Sequence, residues 1–501
     1  MNATKIEDVI KDETPMQEFY RKKCVFLTGG TGFFGKIIIE KLIRVTDIEH
    51  IYILIRNKKG KDVYTRLEEM FDDPVFDTVK RLKPKFQHKI SVIKGDCLLP
   101  GLGISPEERI LLQQNIDVVF HAAATVRFDE KLKIALGINV CGTREIIGLC
   151  RELVKLKAIV HVSTAFANCN HSFIEEKFYK VNLSGENACC LADCLDDRTL
   201  DNITHELIRD YPNTYTYTKS LAEDLVRSSA KGLPIVIFRP GIVIPTYKEP
   251  IPGWIDNMYG PSGIIVGVGT GILRVFHGRV DNAAHVVPVD MSINALLAAA
   301  WDVSMKTYDE PPIYNYIPDV ENSVSWKTYI KVGYEIGSRL PILRSIWHPN
   351  LTITSSKLMF NLLCFLYHTL PGFLMDLGLV AIGRKPRMMQ IYRKVHKFCA
   401  VMSYFSNGIW RFSNNNTRRL YDRLTKEDQQ LFSFDMRTVH WETLVEDSIR
   451  GLRTFVVKED PNNVENAIKR YKRLKLLHYS LIYGIYTLAV FLLYTILSKL
   501  F

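Results

Sequence analysis

The cysteines of this chain do not form a metal signature. Ten cysteines are present, and the one cluster, Cys189, Cys190 and Cys194, has neither a partnering pair nor a histidine at ligand spacing. The pattern therefore gives no metal site, and plain reduced thiols are the expectation, because a cytosol-facing chain of this size needs no disulfide framework. Internal repeats and low-complexity tracts are also missing, which excludes solenoids and long disordered regions. The first residues, MNATKIEDVIKDETPMQEFYRKK, lack the apolar core of a signal peptide, so the main body is expected in the cytosol. Acidic residues are the scarcer charge, 54 against 65 basic, for a net charge of +11 and a pI near 9.0. Zinc-finger spacing, RNP-like motifs and a continuous basic helix are absent, so no nucleic-acid partner is expected. A phosphate-rich cofactor, an acidic substrate or an anionic membrane face remains to account for the excess.

What is present is a rhythm. Apolar runs at CVFLT (24–28), IYILI (51–55), ISVI (90–93), VVFH (118–121), AIVHV (158–162) and PIVIF (234–238) read as strands separated by helix-like stretches. Strands alternating with helices predict an α/β fold, a doubly wound parallel sheet of Rossmann type covered on both faces. At 501 residues the chain has room for more than one folding unit. The expected layout is a polar segment over 1–20, a dinucleotide-binding domain over 21–300 and a connecting region over 301–357. A mainly helical C-terminal domain over 358–470 and a transmembrane anchor over 476–497 would follow. The βα rhythm fades near residue 300, and Val303 to Pro318, polar and proline-containing, reads as a transition. Within 358–383 an apolar stretch is broken by His368, Pro371, Gly372 and Asp376, which argues against a plain transmembrane helix. A buried hairpin and a membrane-surface segment both fit it, and Arg384, Lys385 and Arg387 just beyond would suit anionic headgroups.

From Leu476 to Leu497 the only side chain able to carry charge near neutral pH is His478, and the span is long enough to cross a bilayer as a helix. Lys469, Arg470, Lys472, Arg473 and Lys475 precede it and only Lys499 follows, so the positive-inside bias puts the large N-terminal body on the cytosolic side. With that topology none of the sequons at Asn2, Asn170, Asn182, Asn202, Asn350 and Asn415 is expected to be glycosylated. The membrane itself reads as endoplasmic-reticulum or peroxisomal, with no address signal to choose between them. The sequence is silent on oligomeric state.

Gly29, Gly32 and Gly35 follow the first strand and open a helix. Glycines in that context allow a tight turn, close approach to a pyrophosphate and close helix–strand packing. Arg56 stands at the end of the second strand, where an acid would otherwise bond the ribose, with Lys58 and Lys59 behind it. An arginine there favours a 2′-phosphate, hence NADPH over NADH. Tyr215 and Lys219, four apart in TYTYTKSLAE, share one helix face. A tyrosine can serve as general acid to a carbonyl oxygen when an ammonium lowers its pKa. Tyr471 with Lys475 repeats the spacing, but abuts the apolar span and reads as a bystander. Ser163 and Thr164 end the strand AIVHV, at the sheet edge where ligands bind, and a hydroxyl there can hold a developing oxyanion.

Together GGTGFFG, VSTA and the Tyr215–Lys219 pair resemble the extended short-chain dehydrogenase/reductase superfamily. TGGTGFFGKIIIEKLIR, HAAATVRFDE, HVSTAFAN, YTYTKSLAE, FRPGIV and GPSGIIVGVGTGILR resemble, more narrowly, fatty acyl-CoA reductases of the animal type, from about Lys23 to Trp301. Phe34 stands where that family commonly has leucine, and Phe173 to Tyr211 resembles an insertion the family carries, expected to shape a substrate wall. The resemblance implies catalytic Thr164, with Ser163 as second choice, Tyr215 and Lys219. It implies cofactor contacts at Thr28, Gly29, Gly32, Phe33, Gly35, Arg56, Asp96, Ala122, Ala123 and Pro240. Reduction of a long-chain acyl-CoA to an alcohol by two NADPH-dependent steps, with membrane lipid as neighbour, is the activity it implies. A membrane-bound sterol-type dehydrogenase of the same superfamily, or a non-catalytic lipid-binding protein on the same fold, are the alternatives.

Overall fold

The computed structural model describes residues 13–58 and 60–500, so Asn2, Lys59 and most of the segment 1–20 lie outside the described residues. The chain forms two compact units. The first comprises Met1–Pro252, His285–Ser323 and Ile409–Val439, and the second Gly253–Ala284, Val324–Gly408 and His440–Phe501.

The first unit is built on one parallel sheet of seven strands. They are β1 (Cys24–Thr28), β2 (His50–Ile55), β3 (Ile90–Lys94), β4 (Val118–His121), β5 (Ala158–Val162), β6 (Ile235–Pro240) and β7 (Ile313–Tyr316). Their order across the sheet is β7-β6-β5-β4-β1-β2-β3, so the winding reverses between β1 and β4. This is the doubly wound Rossmann arrangement, in which ligands bind outside the carboxyl ends of the strands where the winding reverses. Thr28 is level with both Leu54 on β2 and His121 on β4, which brings three carboxyl ends to one line. Central strands β1, β4 and β5 are apolar along almost their whole length because helices cover both faces. The seventh strand is a correction: Ile313–Tyr316 lies inside the segment read as a transition, too short to announce itself, and is fully buried beside β6.

Three helices position side chains at that edge: α1 (Phe33–Val45), α2 (Val63–Phe71) and α3 (Thr214–Ser229). α1 buries Ile37, Ile38, Leu42 and Ile43, and also its charged face, where Arg44 pairs with Glu40 at 2.7 Å and with Glu249 at 2.7 Å. The segment 173–211 forms a short strand and two helices, Gly185–Cys194 and Asp197–Ile208. A Cβ on Gly185 would stand 2.6 Å from the carbonyl oxygen of Leu221, so glycine lets this insertion lie directly on α3. Its strand Phe173–Ile174 pairs in parallel with Arg411–Phe412.

The second unit is mainly helical. It contains a short parallel pair, Val275–His277 with Thr352–Thr354, and helix Trp326–Arg339 packed on Trp441–Gly451. It also holds α4 (Lys357–Ala381), α5 (Met388–Asn407) and α6 (Val464–Leu500). α4 stays helical through Pro371 because a π turn, Phe365–Thr369, precedes the residue that cannot donate. By length and composition, α4 and the helix over Pro461–Lys499 are both long and apolar enough to cross a membrane.

Candidate active site

The glycine turn sits where the winding reverses. Gly29 has φ +75°, a left-handed conformation that favours glycine, and a Cβ there would stand 2.8 Å from the Ala123 nitrogen and 2.9 Å from the Ala122 carbonyl oxygen. A Cβ on Gly35 would lie 2.3 Å from the Gly29 carbonyl oxygen and 2.4 Å from Gly30 Cα, a collision with backbone that no rotamer relieves. Gly32 caps α1 with no side-chain hydrogen bond, and Phe33 begins the helix, whose N-terminal end favours an anion. Thr28 Oγ1 accepts from the Ala123 N–H at 3.2 Å and bonds His121 Nδ1 at 2.8 Å, locking the ends of β1 and β4 together. These features fit the pyrophosphate of a dinucleotide.

At the far end of the same edge, Arg56 follows β2 and Asp96 follows β3, and the two pair at 3.4 Å. The local spacing did not reveal Arg66. It projects from α2 and donates to the Arg56 carbonyl oxygen at 2.5 Å and to Thr31 Oγ1, inside the glycine turn, at 3.0 Å. Burial, and then the charge of Arg56, lower the Arg66 pKa. Two arginines thus lie close enough beside the turn for the charge of one to act on the other. The Lys58 backbone bridges to that of Lys61.

At the opposite end, β5 delivers Ser163 and Thr164, and α3 delivers Tyr215 and Lys219. Asn213 caps α3 through a hydrogen bond from the Thr216 N–H at 2.9 Å, which sets Tyr215 in the first turn. The Tyr215 side chain hydrogen-bonds Thr164, while burial pushes its pKa well up, so the phenol keeps its proton. Phe128 stacks on the Tyr215 ring at 5.6 Å and 24°. Lys219 is buried and donates to the Val162 carbonyl oxygen at 2.7 Å. Burial pulls its pKa down to about 8, against the opposing pull of Glu223. His161, also buried on β5, is held neutral by burial and by the Lys219 charge. Pro240 ends β6, next to the strand that carries this pair.

The two hydroxyls of β5 differ in their commitments. Ser163 Oγ donates to Glu223 Oε1 at 2.5 Å, whereas Thr164 is the one that reaches Tyr215. Glu223, one turn beyond Lys219 on α3, also accepts from Arg239 Nε at 2.8 Å, Arg239 Nη2 at 2.6 Å and Asn168 Nδ2 at 3.1 Å. Arg239 spends its remaining donors on the carbonyl oxygens of Glu175 and Lys177, both at 3.0 Å. A buried ion pair therefore ties the end of β5, β6 and α3 together through Ser163.

In the second unit, Cys364, His368 and His396 bring their ligand atoms within 4.8 Å of one another. The Arg274 N–H donates to His368 Nε2 at 2.9 Å, which places the ring proton on Nδ1, 3.1 Å from His396 Nε2. The group is complete as a hydrogen-bond chain, and a metal ion would have to displace that proton.

Comparison with known proteins agrees with this geometry. Two family models match the chain, both described as male sterility protein: a nucleotide-binding domain over residues 27–296 and a second domain over 367–459. "Fatty acyl-CoA reductase wat" of Drosophila melanogaster is 58% identical over 492 residues, covering 98% of this chain and 95% of that protein. "Fatty acyl-CoA reductase 2" of Homo sapiens is 36% identical over 465 residues, covering 92% and 90%. Among solved structures, the reductase domain of a nonribosomal peptide synthetase from Mycobacterium tuberculosis superposes with a TM-score of 0.56 at 19% identity, over 90% of this chain and 96% of that one. The terminal reductase domain of the myxalamid biosynthetic pathway gives 0.55 at 19% identity, over 88% and 93%. These structural likenesses establish the fold. With its nicotinamide-dinucleotide-binding sheet and its match along nearly the whole length of the curated relatives, this chain belongs to the fatty acyl-CoA reductase family and is an oxidoreductase.

Proposed function

We propose that this protein reduces long-chain fatty acyl-CoA to primary fatty alcohol and CoA, using NADPH and passing through an aldehyde. The observation that carries the reading is the Thr164–Tyr215–Lys219 set at the carboxyl edge of the sheet, beside an uncapped glycine turn. When bound along Thr28, Gly29, Gly32, Phe33, Gly35, Asp96, Ala122, Ala123 and Pro240, NADPH supplies the hydride for each of two reductions. Arg56 and Arg66 would share its 2′-phosphate, a dianion that relieves the repulsion between them.

Thr164 and Tyr215 hold the substrate carbonyl oxygen from the same side, stabilising the negative charge that develops there. Tyr215, protonated at neutral pH, gives its proton to that oxygen as the alcohol forms. Lys219, charged below about pH 8 and held by its bond to the Val162 carbonyl oxygen, would favour release of the phenol proton as the substrate oxygen takes it up. Ser163 takes no direct part, because its proton is committed to Glu223. In the first reduction the carbon–sulfur bond breaks and CoA leaves as the thiol. In the second, the aldehyde carbonyl meets the same two hydroxyls. No thiol nucleophile is required, and Cys97, pushed up to about 12 by burial and by Asp96, stays protonated.

The apolar part of α6 would anchor the chain in endoplasmic-reticulum or peroxisomal membrane, with the basic run from Lys469 to Lys475 on the cytosolic side. Membranes containing the protein, supplied with acyl-CoAs of twelve to twenty-six carbons, test the reading. Two NADPH consumed per alcohol formed, with chromatographic identification of the product, is the expected result. No NADPH oxidation across the whole series would contradict it.

A further inference from the structure

Helix α4 is inside-out for a protein in water. Cys364, His368, Gly372 and Asp376 recur every four residues and are the stripe it buries. Leu358, Leu362, Phe365, Phe373, Leu377 and Val380 repeat on the same helical period and are all exposed, from 51% to 81%. A surface helix of a soluble domain has the opposite arrangement.

Three of the four inward residues have partners that explain their place. His368 joins the Arg274 N–H to His396. Gly372 meets Tyr392 so closely that a Cβ would stand 2.7 Å from Tyr392 Cδ2. The Asp376 carboxylate accepts from the N–H groups of Arg387, Met388 and Met389 at 2.8 to 2.9 Å, capping α5 from outside. The polar interruptions His368 and Asp376 are thus docking contacts to α5 and its surroundings, leaving a predominantly apolar face outward, with Asn361 exposed near its start. That face is long: 25 residues of helix extend roughly 37 Å.

We infer that α4 lies in the plane of a membrane, with its outward face among the acyl chains and its ends among anionic headgroups. Lys357 at one end and Arg384, Lys385 and Arg387 at the other are exposed and basic, matching headgroups at both ends of an in-plane helix. A spanning orientation fails on its neighbour. α5 is fixed to α4 along the inward stripe and carries exposed Arg393 and Lys394, which a spanning α4 would draw into hydrocarbon. The root of α6 belongs to the same unit as α4. The Arg274 guanidinium lies 4.9 Å from the Tyr367 ring centre on α4. His348 sits 5.3 Å from the His478 ring, and Trp347 Nε1 donates to His478 Nδ1 at 3.1 Å. The unit therefore meets the membrane through a second, monotopic contact beside its C-terminal helix.

Full-length protein in sealed phosphatidylcholine–phosphatidylserine vesicles, oriented with its main body outward, provides the test. A diazirine-bearing lipid is photoactivated and the crosslinked peptides are mapped by mass spectrometry, while a membrane-impermeant amine reagent probes Lys357 and Lys385 from outside. Crosslinks within 357–382 as well as within 479–497, with both lysines modified, are expected. Replacing Leu362 and Phe373 together by glutamate, both on the exposed face, should cut the 357–382 crosslinks several-fold while leaving those of 479–497 and the reductase activity in detergent unchanged. Lipid crosslinks confined to 479–497 would overturn the inference, as would modification of only one lysine of the pair. Crosslinks from 357–382 to another polypeptide in place of lipid would overturn it as well.

Discussion

At Lys219, burial and charge pull in opposite directions. Desolvation disfavours the ammonium and Glu223 favours it, and the balance holds the group near 8. Below that pH the side chain is charged, the form that the proposed mechanism requires for proton release from Tyr215. As pH rises through about 8 it becomes neutral, so kcat/KM should fall on the alkaline side with an apparent pKa near 8 in a pH-rate profile. A profile flat to pH 9.5 or beyond would remove Lys219 from its proposed role. At the other end of the edge, Arg66→Ala deletes one of two guanidiniums beside the glycine turn and should raise KM for NADPH about tenfold or more, with little change for NADH. The residues that a short spacing defines were readable from the sequence: the three glycines, Arg56, and the Tyr215–Lys219 pair. Arg66 was not, because its place depends on α2 folding back onto Thr31, and nothing in RLEEMF marks that return. Nor does spacing alone distinguish Ser163 from Thr164, since the distinction is made sixty residues away by Glu223.

Among the elements, α3 does two jobs with consecutive turns. One turn carries Tyr215 and Lys219 to the sheet edge, and the next carries Glu223 into the ion pair with Arg239, whose side chain is wholly buried. Glu223→Ala would leave that guanidinium uncompensated and should cost about 3–5 kcal/mol, visible as a lowered unfolding midpoint. It would also remove the one carboxylate that supports the Lys219 charge, so any folded enzyme should show its alkaline limb shifted to lower pH. An unchanged limb would separate Glu223 from the site. Five of the seven strands announce themselves as mainly apolar runs, and β6 does so up to its last two residues, because a parallel sheet covered on both faces favours such runs. β7 escaped notice because IYNY is short and mixed, and its burial is set by β6 and not by its own composition. The helical period of α1 was clear, whereas the burial of its charged face was not, since Glu249 arrives from a distant part of the chain.

In the whole molecule, sequence order and spatial order part company. Each unit is assembled from three separate stretches, with Ile409–Val439 returning to the sheet unit and Gly253–Ala284 leaving it. No local pattern encodes such exchanges. The alternation of strands and helices is local, and so the architecture of the first unit was readable while the composition of the second was not. α4 illustrates the same limit at larger scale: His368, Pro371, Gly372 and Asp376 look like interruptions until α5 is in place to receive three of them. The two family models and the near-complete coverage by curated relatives then join both units into one reductase.

The central claim is that the hydroxyls of Thr164 and Tyr215, at the edge where the sheet presents its strand ends, carry out acyl reduction. It is tested most directly by comparing membranes bearing the native chain with membranes bearing Tyr215→Phe, given palmitoyl-CoA and NADPH and assayed for hexadecanol. The phenyl ring preserves the stack on Phe128 and deletes only the hydroxyl, so alcohol formation should fall by roughly 10²–10⁴-fold with the protein still folded and still binding NADPH. A Tyr215→Phe enzyme that makes hexadecanol at the native rate would contradict the account.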